Sequence, residues 1–397
     1  MEITFLGVVF AVIIVLLAIG RPLYQAIAGG MIVTAGLFHI PVTVIVTKIA
    51  SVIINWSSLS VLLSLYLITF LQRILESRSQ IRLAQQDLNG IFHNRRINTA
   101  GAAFFIGLLP SAASMILCAD IVKDATEGYL DPKEQAFTAS WFRHIPESVL
   151  PTYTAVLLMS NLSGVEISEF IVYMIVPVIA LAGLGYAVYL HRIPNDTGTP
   201  ASTNRLADFA HLIQHLWSLL LILILILVFH FQVVTSVLVS IALCIIIYRV
   251  TLDEIRKFIF AAFEKKMLGN TFLVLCLKEL IAHTGVLLLL PDAMAKLPLP
   301  TYLIFGLLFF TATVISGSTG AIAMGTPLAF AAIPGGAPLA YLMCMAHAAS
   351  QISPTHVCLV VAADYFHVTL GDIVKKTLPV SIAFCVLMTL YYNVIKL

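Results

Sequence analysis

Nine apolar runs dominate the chain, near residues 3 to 19, 24 to 39, 57 to 72, 169 to 190, 212 to 229, 231 to 248, 271 to 290, 301 to 315 and 377 to 395. Most are bounded by charge, proline or glycine. Each approaches the roughly 20 residues that an α-helix needs to cross a bilayer, and apolar stretches of this kind identify spanning helices. A water-soluble fold has no place for so many. Only 11% of the 397 residues are charged, against about 25% in ordinary soluble proteins. With 60% hydrophobic residues, too few polar groups remain to cover an aqueous surface. The expected fold class is an all-α polytopic membrane protein, multi-pass in the cell (inner) membrane with the lipid bilayer as its surroundings.

Charge and cysteine usage remove other classes. A net charge of +2 with no basic arm at either terminus leaves no face for nucleic acid. The six cysteines stand singly with no C-x-x-C pair, so neither a disulfide framework nor a zinc site is indicated, and they read as small buried hydrophobes. Glu2 stands where a signal peptide carries Lys or Arg, and no small-residue cleavage site precedes Arg21, so the first run is expected to be a retained helix.

The stretch HRIPNDTGTPASTNRLAD, from His191 to Asp208, has the mixture of a flexible linker and cuts the chain nearly in half. At an offset of 203 residues His144 aligns with His347, Pro151 with Pro354, Thr152 with Thr355, Val165 with Val368, and Glu169 with Asp372. Ser-rich breaks, PSAAS from Pro110 and SGSTG from Ser316, occur upstream in each half. These matches indicate an internal repeat, with residues 1–190 as one membrane unit, 191–210 as a cytoplasmic linker and 211–397 as the second unit.

Loop charges say how the copies are related. Residues 43 to 58 hold only Lys48, whereas 249 to 266 hold Arg249, Arg256, Lys257, Lys265 and Lys266. The next loops reverse the bias: 73 to 96 hold five arginines, and 278 to 296 hold Lys278 and Lys296. Because Lys and Arg collect on the cytoplasmic side, equivalent loops should face opposite sides of the membrane. The repeats are expected to be inverted, with 73 to 96, 191 to 210 and 249 to 266 cytoplasmic and both termini extracytoplasmic.

Four stretches place Ser, Thr, Gly and Pro inside apolar sequence: Pro110 to Ser114, His144 to Thr152, Ser316 to Gly320 and His347 to His356. A broken helix at bilayer depth survives only inside protein or beside a water-filled cavity. Its free N–H groups and terminal dipole suit an anion, and matched interruptions in inverted halves point to a transporter site at the midplane. Each stretch alone is equally readable as helix packing. As a set they make Ser111, Ser114, Ser316, Ser318, Thr319, Thr152 and Thr355 the candidate substrate contacts. Pro151 and Pro354, with Ser353, end helices and expose carbonyls for a cation such as Na⁺.

His144 and His347 are either satisfied core histidines or proton carriers, since imidazole titrates in the physiological range. His356 is a further ion-coupling candidate, but Tyr153 stands at its equivalent position, so it fits no symmetric site. Asp364 faces Asn161 in the repeat and reads either as a cation ligand or as a residue outside the membrane. Arg143 either pairs with Glu147 one helical turn on or supplies the fixed charge for a carboxylate. Ser318 with His347 would fit a serine-type intramembrane hydrolase, but the matching His144 is better explained by symmetry than by catalysis. No P-loop, G-x-G-x-x-G or H-E-x-x-H motif is present, which excludes an ATP-driven pump within this chain.

The order of helix pairs, Ser-rich hairpin and Pro-Thr broken helix, repeated after a polar linker, resembles the ion transporter superfamily of secondary carriers. That group includes gluconate permeases, C4-dicarboxylate carriers and divalent-anion sodium symporters. More narrowly, GLLPSAAS from Gly107, WFRHIPE from Trp141 and QISPTHVCLVVAADYF from Gln351 are similar to a family of uncharacterised integral-membrane proteins within it. The resemblance implies two re-entrant hairpins, tipped at Ser111 to Ser114 and Ser316 to Thr319, helix breaks at Pro151-Thr152 and Ser353-Pro354-Thr355, and a homodimer. Where the divalent-anion symporters carry Ser-Asn-Thr at each tip, this chain has Ser-Ala-Ala-Ser and Ser-Gly-Ser-Thr. The expected function is a non-enzymatic, cation-coupled secondary transporter (symporter or antiporter) of a small organic anion such as a carboxylate. It needs no cofactor beyond Na⁺ or a proton as coupling ion.

Overall fold

The computed structural model describes residues 2–80, 83–84, 87, 94–108, 113–196 and 204–395, and among them every regular element is helical. Ser111 and residues 197 to 203 of the linker lie outside the described residues. The first half contains α1 (Glu2–Ala18), α2 (Leu23–Leu37), α3 (Val42–Ile54), α4 (Trp56–Ser77), α5 (Arg95–Ile106), α6 (Ala113–Thr126), α7 (Pro132–His144), α8 (Thr154–Ser163) and α9 (Ile167–Val188). The second contains α10 (Arg205–Leu227), α11 (Val233–Ile247), α12 (Leu252–Ala261), α13 (Lys265–Thr284), α14 (Leu290–Met294), α15 (Thr301–Ala332), α16 (Gly336–Ser350), α17 (Val357–Tyr365) and α18 (Leu370–Ile395).

Five of these, α4, α9, α10, α15 and α18, are long and apolar enough to cross a membrane. α13 meets the same length and composition criteria only together with Val286–Met294, from which it is bent by 67° at a short break. Gly285 at that break has φ 71°, a left-handed conformation that costs glycine nothing. The apolar runs near 3 to 19, 24 to 39 and 231 to 248 form the shorter helices α1, α2 and α11.

The molecule is centred on helices that are not its most apolar. Every residue of α16 is buried, as are nearly all of α7. α16 is rich in Ala with Gly and Ser, which lets neighbouring backbones approach closely where lipid supplies no hydrophobic drive, whereas α7 buries larger polar and aromatic side chains, among them Gln135, Trp141, Arg143 and His144. The apolar faces of α9 and α18 turn outward, with Val172, Ile179, Val386 and Leu390 exposed, as lipid-facing surface should be.

The sequence offset reappears in the elements. Starts of α8 and α17, and of α9 and α18, are each 203 residues apart. Two contacts express the symmetry. Lys133 Nζ reaches Asp372 Oδ1 at 2.8 Å, and the backbone N–H of Gly336 donates to Glu169 Oε1 at 3.1 Å. Residues 133 and 336 are equivalent at that offset, as are 169 and 372, so each contact is the other with the halves exchanged. Near the end of α18, Tyr391 Oη donates to Tyr173 O near the start of α9. At the other end Arg192, just beyond α9, and Lys376, in the first turns of α18, share Glu134 at 2.8 and 3.2 Å. Equivalent helices α9 and α18 therefore run antiparallel, the arrangement the loop charges predict.

Charged loops gather at that second end. Arg78 forks onto Glu254 at 2.8 and 3.1 Å, a geometry that strengthens an ion pair and holds the Glu254 carboxyl down at about 2. Arg96 Nε donates to Ile193 O, tying the start of α5 to the linker.

Close packing also fixes one glycine. A Cβ on Gly107, at the end of α5, would overlap the backbone carbonyl oxygen of Arg143, and backbone cannot swing aside. Gly107→Ala is expected to destabilise the detergent-solubilised protein by about 2 kcal/mol or more, read as a lowered melting temperature. Gly183, with open space around its Cβ position, provides the comparison, and Gly183→Ala should leave the transition unchanged.

Candidate functional site

Proline chemistry creates the second helix break. Pro354 has no N–H to return to the carbonyl four residues back, and that carbonyl, Ser350 O, accepts from the Ser353 N–H at 3.3 Å and meets His356 Nδ1 at 3.0 Å. The carbonyl thus also holds an imidazole in place. Ser353 Oγ donates to Val314 O at 2.9 Å and meets Thr355 Oγ1 at 2.8 Å, which binds the break to α15 just before its own interruption. That interruption is Gly317, at φ 78° and ψ 164°, a region essentially confined to glycine. A Cβ there would lie 3.4 Å from Thr355 Oγ1.

The first half is built in parallel. After α7 the chain forms a short 3-10 turn at Pro146–Ser148 and restarts as α8. Tyr153, in the break, donates through its hydroxyl to Gly107 O just beyond α5. Each break is therefore held by a side chain reaching the interrupted segment of its own half.

Between them lies a cavity of about 230 Å³. Thr152, Tyr153 and Thr154 reach it from the first break, His356 and Cys358 from the second, and Ser318 and Thr319 from the Gly317 kink. Arg143 and Glu147 add charge, and Thr69 and Gln72 of α4 form the facing wall, with Glu264 at the edge. Arg143 is 2% exposed. Its Nη2 and Nε donate to Ser114 Oγ at 2.7 and 3.2 Å, and its Nη1 to Cys358 Sγ at 3.5 Å. A guanidinium in a water-poor site is a strong attractor for a carboxylate.

Glu147 does not pair with Arg143 at one-turn spacing, because α7 ends at His144 before Pro146. Instead Glu147 Oε2 lies 4.0 Å from His144 Nε2 and 3.9 Å from His356 Nε2. The two imidazoles are 4.4 Å apart between centroids, so His356, despite lacking a histidine counterpart, sits against His144. Thr152 Oγ1 is buried without a hydrogen-bond partner and lines the cavity, available to a ligand.

Other expected residues lie elsewhere. Ser316 Oγ returns a bond to Ala312 O at 2.8 Å within its helix. His347 is buried in α16, its Nε2 3.4 Å from Gln351, and no hydrogen bond among the described residues joins it to Ser318, so the hydrolase pairing finds no support. Pro151 lines a separate apolar cavity of about 160 Å³ with Phe104, Phe105 and Leu108, while Pro354 is exposed. Asp364 is exposed at the end of α17, away from the cavity. Sequence reasoning did not single out Tyr153, Cys358, Thr69 or Gln72 for the site. The 203-residue offset of Tyr153 from His356 was the available signal.

Gly317→Ala should cost about 1–3 kcal/mol through backbone strain. A thermal melt checks this, and an unchanged transition would mean that the kink is not held in this conformation.

Two solved structures share the fold. The Alcanivorax borkumensis YdaH transporter, reported to have an unusual topology, superposes with a TM-score of 0.61 at 13% identity, covering 89% of this chain and 87% of that one. Neisseria gonorrhoeae MtrF, reported to illuminate a class of antimetabolite efflux pumps, gives a TM-score of 0.61 at 13% identity, covering 88% of this chain and 83% of that one. No curated protein matches the sequence. The family described as "Protein of unknown function (DUF401)" matches residues 3–395, and the chain belongs to that family.

Proposed function

We propose that this protein is a secondary transporter that moves a small organic anion, such as a carboxylate, by alternating access around the 230 Å³ cavity, coupled to a proton or Na⁺. The observation that carries the reading is the meeting of two helix breaks and the Gly317 kink around one buried arginine. Arg143 offers the fixed positive charge, and Ser318, Thr319 and Thr152 offer hydroxyls at the matching depth. His144, His356 and Glu147 form a titratable cluster beside it, suited to carrying a coupling proton. The likeness to two transporters in fold supports the class, and the chain's place in the ion transporter superfamily and a homodimeric assembly belong to the same proposal. Units 1–190 and 211–397 then act as the inverted repeats.

Arg143→Gln is expected to reduce saturable uptake of carboxylates into proteoliposomes by at least about 10-fold, the effect of removing one charge-assisted contact of about 1.5–3 kcal/mol. The variant should retain its gel-filtration profile. His356→Gln should abolish acceleration by an imposed pH gradient. Flux that does not saturate, or that Arg143→Gln leaves intact, would refute the reading.

The orientation proposed is cytoplasmic for 73 to 96, 191 to 210 and 249 to 266, with both termini outside. Arg78–Glu254 and Arg96–Ile193 contacts gather these segments at one end. Asn195→Cys should therefore resist an impermeant thiol reagent in intact cells and react in inverted vesicles.

A further inference from the structure

The ligand atoms of His144, His356 and Cys358 lie within 4.8 Å of one another. Their chemistry, two imidazoles and a thiol, is that of a borderline-soft divalent cation. The cysteines, read along the sequence as inert packing, gave no hint of this, because Cys358 meets the histidines only through the fold.

The outer contacts prepare both imidazoles. His356 Nδ1 faces the carbonyl oxygen of Ser350 at 3.0 Å, and a carbonyl accepts only from an N–H, so the proton belongs on Nδ1 and Nε2 carries the lone pair. That is the usual way a metal-binding histidine is fixed in orientation and tautomer. His144 Nδ1 lies 3.3 Å from Ser140 Oγ, leaving His144 Nε2, which is fully buried and makes no hydrogen bond. Both Nε2 atoms point toward Glu147 Oε2, at 4.0 and 3.9 Å. A carboxylate at that place either completes the coordination or balances the charge. Arg143 Nη1 donates to Cys358 Sγ at 3.5 Å.

We infer that His144, His356 and Cys358, with Glu147 beside them, form a binding site for Zn²⁺ or a similar transition-metal dication at the wall of the central cavity. Tetrahedral coordination at metal–ligand distances of about 2.0–2.3 Å places ligand atoms roughly 3.5 Å apart, so closure requires movements of about 1 Å. The assignment rests on the ligand geometry and not on the transport reading.

The test uses purified full-length protein in detergent. Zn²⁺ at a small molar excess should raise the melting temperature, because a ligand bound only to the folded form stabilises it, and Mg²⁺ at the same concentration should not. Co²⁺ should produce a thiolate-to-metal charge-transfer band in the near ultraviolet. Cys358→Ser should abolish that band, and His356→Gln should weaken Zn²⁺ affinity by at least about 10-fold. His191→Gln, at the exposed edge of the linker, should change neither. Absence of the band in the unmodified protein, or its persistence in Cys358→Ser, would overturn the assignment, as would loss of binding in His191→Gln. The two site variants are read independently, so failure of one to fold leaves the other decisive.

Discussion

A helix interrupted at the depth of a bilayer leaves backbone donors and acceptors where no water can reach them, at a cost of several kcal/mol for each unsatisfied group. The architecture follows from how this chain meets that cost. Pro354 leaves Ser350 O without its helical donor, and the Ser353 N–H and His356 Nδ1 meet it. Ser353 satisfies Val314 O at the last turn before the Gly317 kink. Tyr153 does the same for Gly107 O in the other half. The Ser353 and Tyr153 bonds each fasten a helix break to another segment of its own half, while the His356 bond closes the second break on itself.

Symmetry builds this frame, but the chemistry sits where symmetry fails. The exchanged contacts of Lys133 with Asp372 and Gly336 with Glu169 hold equivalent helices in antiparallel relation. Inside the cavity, however, Arg143 is matched at the 203-residue offset by Ala346, Glu147 by Ser350, Tyr153 by His356, and Ala155 by Cys358. One copy supplies the cation and carboxylate, while the other supplies a histidine and a thiol. His144, which does have a counterpart, becomes part of the cluster only through His356, whereas His347 turns to Gln351.

This division explains what could be read from residues alone. The helical class, the offset and the four interrupted stretches are visible because they depend on local composition and on repetition. The importance of α7 and α16 is not, since PKEQAFTASWFRH lacks the apolar run that marks a span. In a bilayer the apolar faces belong to helices touching lipid, whereas α7, buried on nearly all sides, carries Glu134, Gln135, Arg143 and His144 inside protein. Glu147 and Cys358 were likewise hidden, because their partners are set by the 3-10 turn after His144 and by the restart at Val357. Asp364 shows the same limit: the sequence allows both a cation ligand and a residue outside the membrane. An acid matched to Asn161 in the repeat suggests depth, yet α17 ends beside it and leaves it exposed.

A second cavity, about 420 Å³, bears on how access would alternate. It is lined by the other ends of the helices that wall the central one. Along α4, Trp56, Ser57, Ser60 and Ser64 face the larger cavity, whereas Leu65, Ile68, Thr69 and Gln72 face the smaller. Along α8, Leu157, Ser160 and Asn161 face the larger, and Thr154 and Ala155 the smaller. The two spaces are thus arranged in series, and the boundary falls between consecutive residues, Ser64 and Leu65. On the transport reading, sliding the α8 break along α4 by about one helical turn, about 5.4 Å, would move Thr152 and the groups around Arg143 from one space into the other. Shear of packed helices over such distances is an established form of switching. α8 is short and restarts after the 3-10 turn, with Tyr153 at its start bonded to Gly107 O rather than continuing a helix.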